Sequence, residues 1–239
     1  MNLTFSHFLY WLAAYLIGSI PWGWLFVWFV KHKDIRYIAS GRMGMSNVLR
    51  TAGPFWGILT AILDILKGSA AVWAAYLFVS EPEPWMKAIG GVLAVLGHIY
   101  SVFLIEKRRN GKYYFRGGAG GLTSCGAGVV FWPLGYWIAV PLPCLIIYLF
   151  TGYASITTAL FNVFAMIGYI VGIALGKCSW WYVFYAVCAE ILVLLSLRPN
   201  FKRLKRGDER KSSLRIRWRK EDRENKETAS KAGESEKEP

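Results

Sequence analysis

The chain has 239 residues, 55% of them apolar, and a formal net charge of +13. Long apolar runs recur from Phe5 to Leu197, and a bilayer core takes about 20 apolar residues per helix, which excludes an ordinary soluble domain. The positive charge sits in loops and tail between and after these runs, a pattern of membrane orientation rather than of nucleic-acid binding.

The first apolar run, from Phe5 to Val30, carries Tyr10, Trp11, Tyr15, Gly18 and Pro21 and has no small-residue cleavage site. It reads as a retained span and not a leader. A basic loop follows, with Lys31, Lys33, Arg36, Arg42 and Arg50 against Asp34 alone. Within it, Ser40-Gly41-Arg42-Met43-Gly44-Met45-Ser46-Asn47-Val48-Leu49-Arg50 is small, polar and interrupted by glycine. Glycines let backbone N–H groups converge, Ser40, Ser46 and Asn47 add side-chain donors, and Arg42 and Arg50 add charge. Such a cluster beside lipid suits an anionic oxygen, above all phosphate.

In the next apolar run, Asp64 and Lys67 are three residues apart and can pair on one helical face. Charges inside a span are functional candidates, and a purely structural pair accounts for them equally. The short loop at 80–87 is acidic on balance, with Glu81 and Glu83 against Lys87. His98 follows Gly97 near the end of the third run, where it suits either a general base or a packed, hydrogen-bonded histidine.

A second basic loop holds Lys107, Arg108, Arg109, Lys112 and Arg116 against Glu106, and runs into Gly117-Gly118-Ala119-Gly120-Gly121. Clustered glycines after an arginine, entering an apolar helix, describe an anion nest on a helix N-terminus, although glycine also serves tight helix packing in membranes. The remaining apolar material covers about 122–151, 157–176 and 180–196, the first of these broken by Pro133, Pro141 and Pro143 and the last holding Glu190 without a partner in sequence. Arg198-Pro199-Asn200-Phe201-Lys202-Arg203-Leu204 comes next. A stop-transfer basic patch accounts for its cations, but orientation needs no asparagine, so Asn200 and Arg203 join the candidate site. From about residue 207 the chain turns to Lys, Arg, Glu and Ser and cannot bury enough surface to fold by itself. The division expected is a membrane domain over 1–206 and a charged cytoplasmic tail over 207–239.

The positive-inside rule places both basic loops and the tail in the cytoplasm and the N-terminus outside. Parity then requires two short spans in the proline-broken run. The expectation is an all-α polytopic membrane protein of about seven transmembrane helices, or five if that run dips in and returns. The four cysteines form no C-x-x-C pair and no metal-ligand spacing is present, so neither metal nor cofactor is expected. There is no G-x-S-x-G and no Walker A loop.

Gly18-Ser19-Ile20-Pro21-Trp22-Gly23, Asp34-Ile35-Arg36, Ser40-Gly41 through Arg50, Asp64-Ile65-Leu66-Lys67-Gly68, Gly97-His98, the glycine loop and the segment from Arg198 to Glu209 follow one another in a recognisable order. Over roughly residues 8–210 the chain resembles the bacterial acyl-phosphate:glycerol-3-phosphate acyltransferases. The resemblance implies acyl transfer from acyl phosphate to glycerol 3-phosphate in the bacterial cytoplasmic membrane, without acyl-CoA or metal. That fits the absence of an H-x(4)-D box. It implies further that Ser40 and Arg50 are essential, with Asn47 beside them, and that Gly117, Gly118 and Gly120 bind glycerol 3-phosphate. Asn200 is then the active-site asparagine, Glu209 a structural residue, and a soluble enzyme that makes acyl phosphate a partner. The chain departs from the family pattern at Arg42, where asparagine is usual, at Ala119, where lysine is usual, and at Leu197, where histidine is usual. The loop from Lys107 to Tyr114 is also longer. Arg116, Arg42 or Lys112 is expected to replace the missing lysine. Two other readings compete: an inactive paralogue that binds acyl phosphate or lysophospholipid, and a small anion transporter.

Overall fold

The computed structural model describes residues 3–107, 111, 113–131, 139–209 and 211. Pro133, the loop cations Arg108, Arg109 and Lys112, and the tail beyond Lys211 lie outside the described residues.

The first apolar run is not one helix. It forms α1 (Phe5–Ser19) and α2 (Trp22–Lys31), separated at Pro21. Proline lacks an N–H and disfavours helical backbone in the residue before it, so the ladder stops at Ile20. Carbonyls freed at the break find new donors. Lys67 Nζ reaches the Ile20 carbonyl at 2.8 Å and Ser101 Oγ reaches that of Ser19 at 2.6 Å.

A short turn over Ile35–Tyr37 leads to α3 (Met45–Ala52), α4 (Pro54–Trp73), α5 (Ala75–Phe78) and α6 (Pro84–Ile99). Pro54 and Pro84 open their helices at positions where a missing N–H costs nothing. Beyond α6 come β1 (Ile105–Lys107) and β2 (Tyr113–Phe115), an antiparallel pair with Ile105 opposite Phe115 and Lys107 opposite Tyr113. This ribbon corrects the all-α expectation. Consecutive aromatic residues at 113–115 favour extended backbone, a local signal hidden by the surrounding positive charge.

The chain continues with α7 (Gly121–Phe131), α8 (Pro141–Thr151), α9 (Ala154–Ala174) and α10 (Trp180–Arg206). Among the described residues, five segments are long and apolar enough to cross a bilayer: Phe5–Lys31, Pro54–Phe78, Pro84–Leu104, Ala154–Ala174 and Trp180–Arg206. The broken run holds, among the described residues, two short helices, α7 and α8, each of 11 residues. At 1.5 Å per residue each spans about 16 Å, roughly half the hydrocarbon thickness.

Small residues set the helix spacing, as expected where lipid offers no hydrophobic drive for association. A Cβ on Gly18 would stand 2.2 Å from the Ala94 carbonyl oxygen, so α1 lies directly on α6. A Cβ on Gly126 would stand 1.8 Å from the Ile65 oxygen, so α7 lies as closely on α4. Inside, Ser124 Oγ donates to Asn162 Oδ1, and Asn162 Nδ2 donates to Glu190 at 3.3 Å, tying α7, α9 and α10 together. Glu190 therefore has the partner that its neighbours in sequence do not provide. Large apolar side chains such as Phe29, Leu77 and Phe150 point outward, the reverse of an aqueous fold.

Candidate active site

The loop between α2 and α3 is shaped from both ends. Asp34 accepts hydrogen bonds from the Arg36 main chain at 2.9 Å and from Trp24 Nε1 at 3.2 Å, and pairs with the Arg36 guanidinium at 2.6 Å. Burial raises the pKa of Asp34, but these bonds and the charge of Arg36 outweigh it and leave the carboxyl below its ordinary value. Asn47, 2% exposed, donates from Nδ2 to the Ile38 carbonyl at 3.1 Å and to the Arg42 carbonyl at 2.8 Å. It staples the loop shut and so holds Ser40 and Arg42 against the molecule. Gly41 takes a φ of 68°, and a Cβ there would press on the Arg36 oxygen at 2.8 Å.

The glycine loop divides into two parts. Gly117 and Gly118 lie flat against the end of α6. The Gly118 N–H donates to the His98 carbonyl at 3.0 Å, and a Cβ on Gly118 would fall 1.9 Å from His98 Nε2. Gly120 takes a φ of 94° and opens α7. Of the three glycines expected to bind substrate, only Gly120 borders the cavity described below. Gly117 and Gly118 are spacers that let the loop approach His98. Arg116 is also off the cavity. Its guanidinium donates to the Arg36 carbonyl at 2.6 Å, lies 3.3 Å from Glu106 and sits over the Tyr37 ring. Of the three cations expected to replace the missing lysine, Arg116 is thus held by other partners, and Lys112 lies outside the described residues.

The third segment is the last part of α10. The helix runs through Pro199 to Arg206 and ends on Gly207, whose φ of 78° reverses the chain. The reversal brings Glu209 back onto the helix, where it accepts from Asn200 Nδ2 at 2.7 Å and Arg203 Nε at 2.8 Å. With its nitrogen committed, Asn200 turns Oδ1 the other way. That oxygen is buried and has no hydrogen-bond partner among the described residues.

All three segments meet at one cavity of about 370 Å³. Ser40, Arg42, Asn47 and Arg50 border it from the first loop, Gly120 from the second, and Asn200, Arg203 and Glu209 from the third. Arg42 spans the gap between segments, donating from its guanidinium to the Ser196 carbonyl on α10, while Ser196 Oγ donates to the Ala119 carbonyl at 3.0 Å. Burial pushes the Arg42 pKa down to about 10, with the charge of Arg203 acting in the same direction and Glu209 opposing it, so the group stays cationic near neutrality.

Below these residues, Asp64 and Lys67 form the expected pair at 2.8 Å, and His98 Nδ1 stands 3.6 Å from the same Asp64 oxygen. Asp64 and His98 reach the cavity wall. Lys67 faces the Ile20 carbonyl, which gives it a structural task. The opposite wall is largely apolar, built by Leu145 and Tyr148 of α8 and Phe161 of α9, with Ser155, Thr157 and Thr158 adding hydroxyls. Ser155 Oγ is buried without a partner among the described residues. Nothing in the sequence marked this wall or Ser196, because their spacing is that of ordinary lipid-facing helix.

A largely apolar cavity bordered by Arg42, Arg50 and Arg203 and set into a bundle of apolar helices defines an integral membrane protein with a cationic pocket among its helices. The comparisons with known proteins agree. The glycerol-3-phosphate acyltransferase profile matches residues 8–207, and the chain belongs to that family. A glycerol-3-phosphate acyltransferase from Thermus thermophilus is 38% identical over 213 residues, 87% of this chain and 96% of the relative. One from Syntrophomonas wolfei is 36% identical over 200 residues, 84% and 94% respectively. Among solved structures, the glycerol 3-phosphate form of PlsY (YgiH), an integral membrane glycerol 3-phosphate acyltransferase, has a TM-score of 0.73 at 29% identity. That match covers 88% of this chain and 98% of the other. The lysophosphatidic acid form of the same enzyme has a TM-score of 0.71.

Proposed function

We propose that this chain transfers a fatty acyl group from acyl phosphate to the sn-1 hydroxyl of glycerol 3-phosphate, releasing inorganic phosphate and leaving lysophosphatidic acid. The observation that carries this reading is the meeting of three polar segments on one cavity whose far wall is largely apolar. The phosphates belong at the cationic wall formed by Arg42, Arg50 and Arg203, and the first carbons of the acyl chain belong against Leu145, Tyr148 and Phe161.

In the reaction, the glycerol oxygen attacks the acyl carbonyl carbon. A new C–O ester bond forms, the C–O bond to phosphate breaks, and the hydroxyl proton passes to a phosphate oxygen of the donor. Acyl phosphate is a mixed anhydride with a good leaving group, so no side-chain nucleophile or metal is called for. Holding hydroxyl and carbonyl together contributes on the order of 7 kcal/mol. Asn200 Oδ1, turned away from Glu209, is placed to accept the attacking hydroxyl and orient its oxygen. Ser40 and the arginines supply donors for charge that grows on carbonyl and phosphate oxygens. Asn47 holds the loop, Glu209 holds Asn200 and Arg203, and Asp64, Lys67 and His98 form the floor on which Gly118 rests.

The same reading places the first and second basic loops and the charged tail, 207–239, on the cytoplasmic side of a bacterial inner membrane. The N-terminus is then outside, with seven crossings where α7 and α8 each pass through the bilayer and five where the pair enters and returns, either count leaving the tail inside. A soluble enzyme that makes acyl phosphate is the expected supplier of donor.

The test uses the purified chain in detergent with palmitoyl phosphate and labelled glycerol 3-phosphate. Labelled lysophosphatidic acid made in proportion to enzyme supports the proposal. Background product from protein that still melts cooperatively overturns it in favour of a binding protein.

A further inference from the structure

Three arginines at this face each have a carboxylate partner: Arg36 has Asp34, Arg116 has Glu106, and Arg203 has Glu209. Arg42 has no ion pair among the described residues. Its guanidinium is instead drawn to the Ser196 main-chain carbonyl, in the turn of α10 that contains Pro199. Pro199 withdraws the ladder donor of the Leu195 carbonyl and its ring pushes against that turn, so the helix is loosened one residue before the Ser196 carbonyl that takes the outside donor. One N–H of a five-donor fork is spent there, and the rest of the fork borders the cavity.

Among the described residues, the second basic loop brings no cation to the same place. Arg116 is turned toward Arg36 and Glu106, and residue 119, which does border the cavity, is alanine. Ala119 is nevertheless joined to the Arg42 anchor, because Ser196 Oγ donates to its carbonyl at 3.0 Å. Arg42, Ser196 and Ala119 thus form a continuous relay across three segments of chain.

We propose that Arg42 is the side chain that grips a substrate phosphate in this enzyme, that Ser196 is its positioning residue, and that the relay lets the first loop supply a cation at the point where the glycine loop offers only a methyl group. The inference rests on the phosphate-handling reading above. Both acceptor and donor carry a phosphoryl oxyanion, and a planar guanidinium suits either by two parallel hydrogen bonds.

The experiment measures KM for glycerol 3-phosphate and for palmitoyl phosphate separately in the full chain, for wild type, Arg42→Asn, Arg42→Lys, Ala119→Lys and Arg42→Asn/Ala119→Lys, with melting temperatures recorded for all. Arg42→Asn is expected to raise one of the two KM values by about tenfold or more, as loss of one charge-assisted contact implies, and the substrate affected identifies the phosphate. Arg42→Lys is expected to retain part of the affinity, and moving the cation in the double variant is expected to recover most of it. Both KM values within about twofold of wild type in Arg42→Asn, or no recovery in a double variant that melts like wild type, overturns the inference. Should Arg42→Asn fail to fold, the lysine variant decides, because unchanged KM values there together with no gain in Ala119→Lys also overturn it. A wild type that shows no turnover is tested for melting-temperature protection by glycerol 3-phosphate. Protection that Arg42→Lys weakens keeps the phosphate grip while the acyl-transfer reading fails, and no protection of wild type overturns both.

Discussion

Asn200 and Glu209 are joined by a 2.7 Å hydrogen bond from Nδ2 to Oε1. The bond fixes which face of the amide is left for a substrate, since a carboxylate accepts only from the nitrogen. Glu209 reaches this place because Gly207 turns the chain at the end of α10.

Glu209→Ala is accordingly expected to lower kcat by on the order of a hundredfold, the effect of misplacing a reacting group by about 1 Å. The KM for palmitoyl phosphate should move much less. Steady-state kinetics on both substrates check this, and a kcat within about threefold of wild type would remove Glu209 from the orientation of Asn200.

The Asp64–Lys67 pair is buried, with both side chains 3% exposed. Removing one partner leaves an uncompensated charge, which costs on the order of 3–5 kcal/mol, whereas replacing both is much milder. Lys67→Met should therefore melt well below Asp64→Asn/Lys67→Met in the same detergent. The two variants melt alike if the Ile20 carbonyl, left bare in both, is the dominant loss.

Asp34 gives the first loop a pH dependence. Its folded pKa lies below the ordinary value, because burial is outweighed by the contacts with Arg36 and Trp24. The stabilisation is complete well above the unfolded value of about 3.9 and fades as pH falls through that value toward the lower folded one. Melting temperature followed from neutral pH into that range should fall more for wild type than for Asp34→Asn. Parallel curves would show that the carboxyl carries none of the acid sensitivity.

Gly118→Ala is expected to destabilise the protein, since its Cβ would fall 1.9 Å from His98 Nε2. The obstruction is a side chain, so Gly118→Ala/His98→Ala should melt above Gly118→Ala alone. A double variant that melts lower still would show that the ring, and not the overlap, dominates.

The helices were legible because a long uncharged apolar run is at home in few places besides a bilayer, and the Asp64–Lys67 pair because a three-residue spacing needs no tertiary knowledge. The first loop was legible as a candidate for anion binding because glycines, hydroxyls and arginines occur together there. The break at Pro21 was masked by continuous hydrophobicity on both sides. The roles of Gly117 and Gly118 could not be divided from that of Gly120, since all three have the same side chain and differ only in what lies opposite. Arg116 looked as suitable as Arg42 because composition does not say which carbonyl a guanidinium finds. Ser155 and Ser196 gave no signal at all, being single hydroxyls in apolar helices whose importance comes from distant chain.

The ribbon of β1 and β2 is fastened to the first loop by its stem. Tyr37 donates to Glu106 at 2.7 Å, and Arg116 bonds to the Arg36 carbonyl. Length added or removed between Lys107 and Tyr113 therefore acts beyond the last fastening point. This stretch offers an engineer a splice site, where an epitope or fluorophore tag can be borne by a working transferase without loosening its catalytic loop.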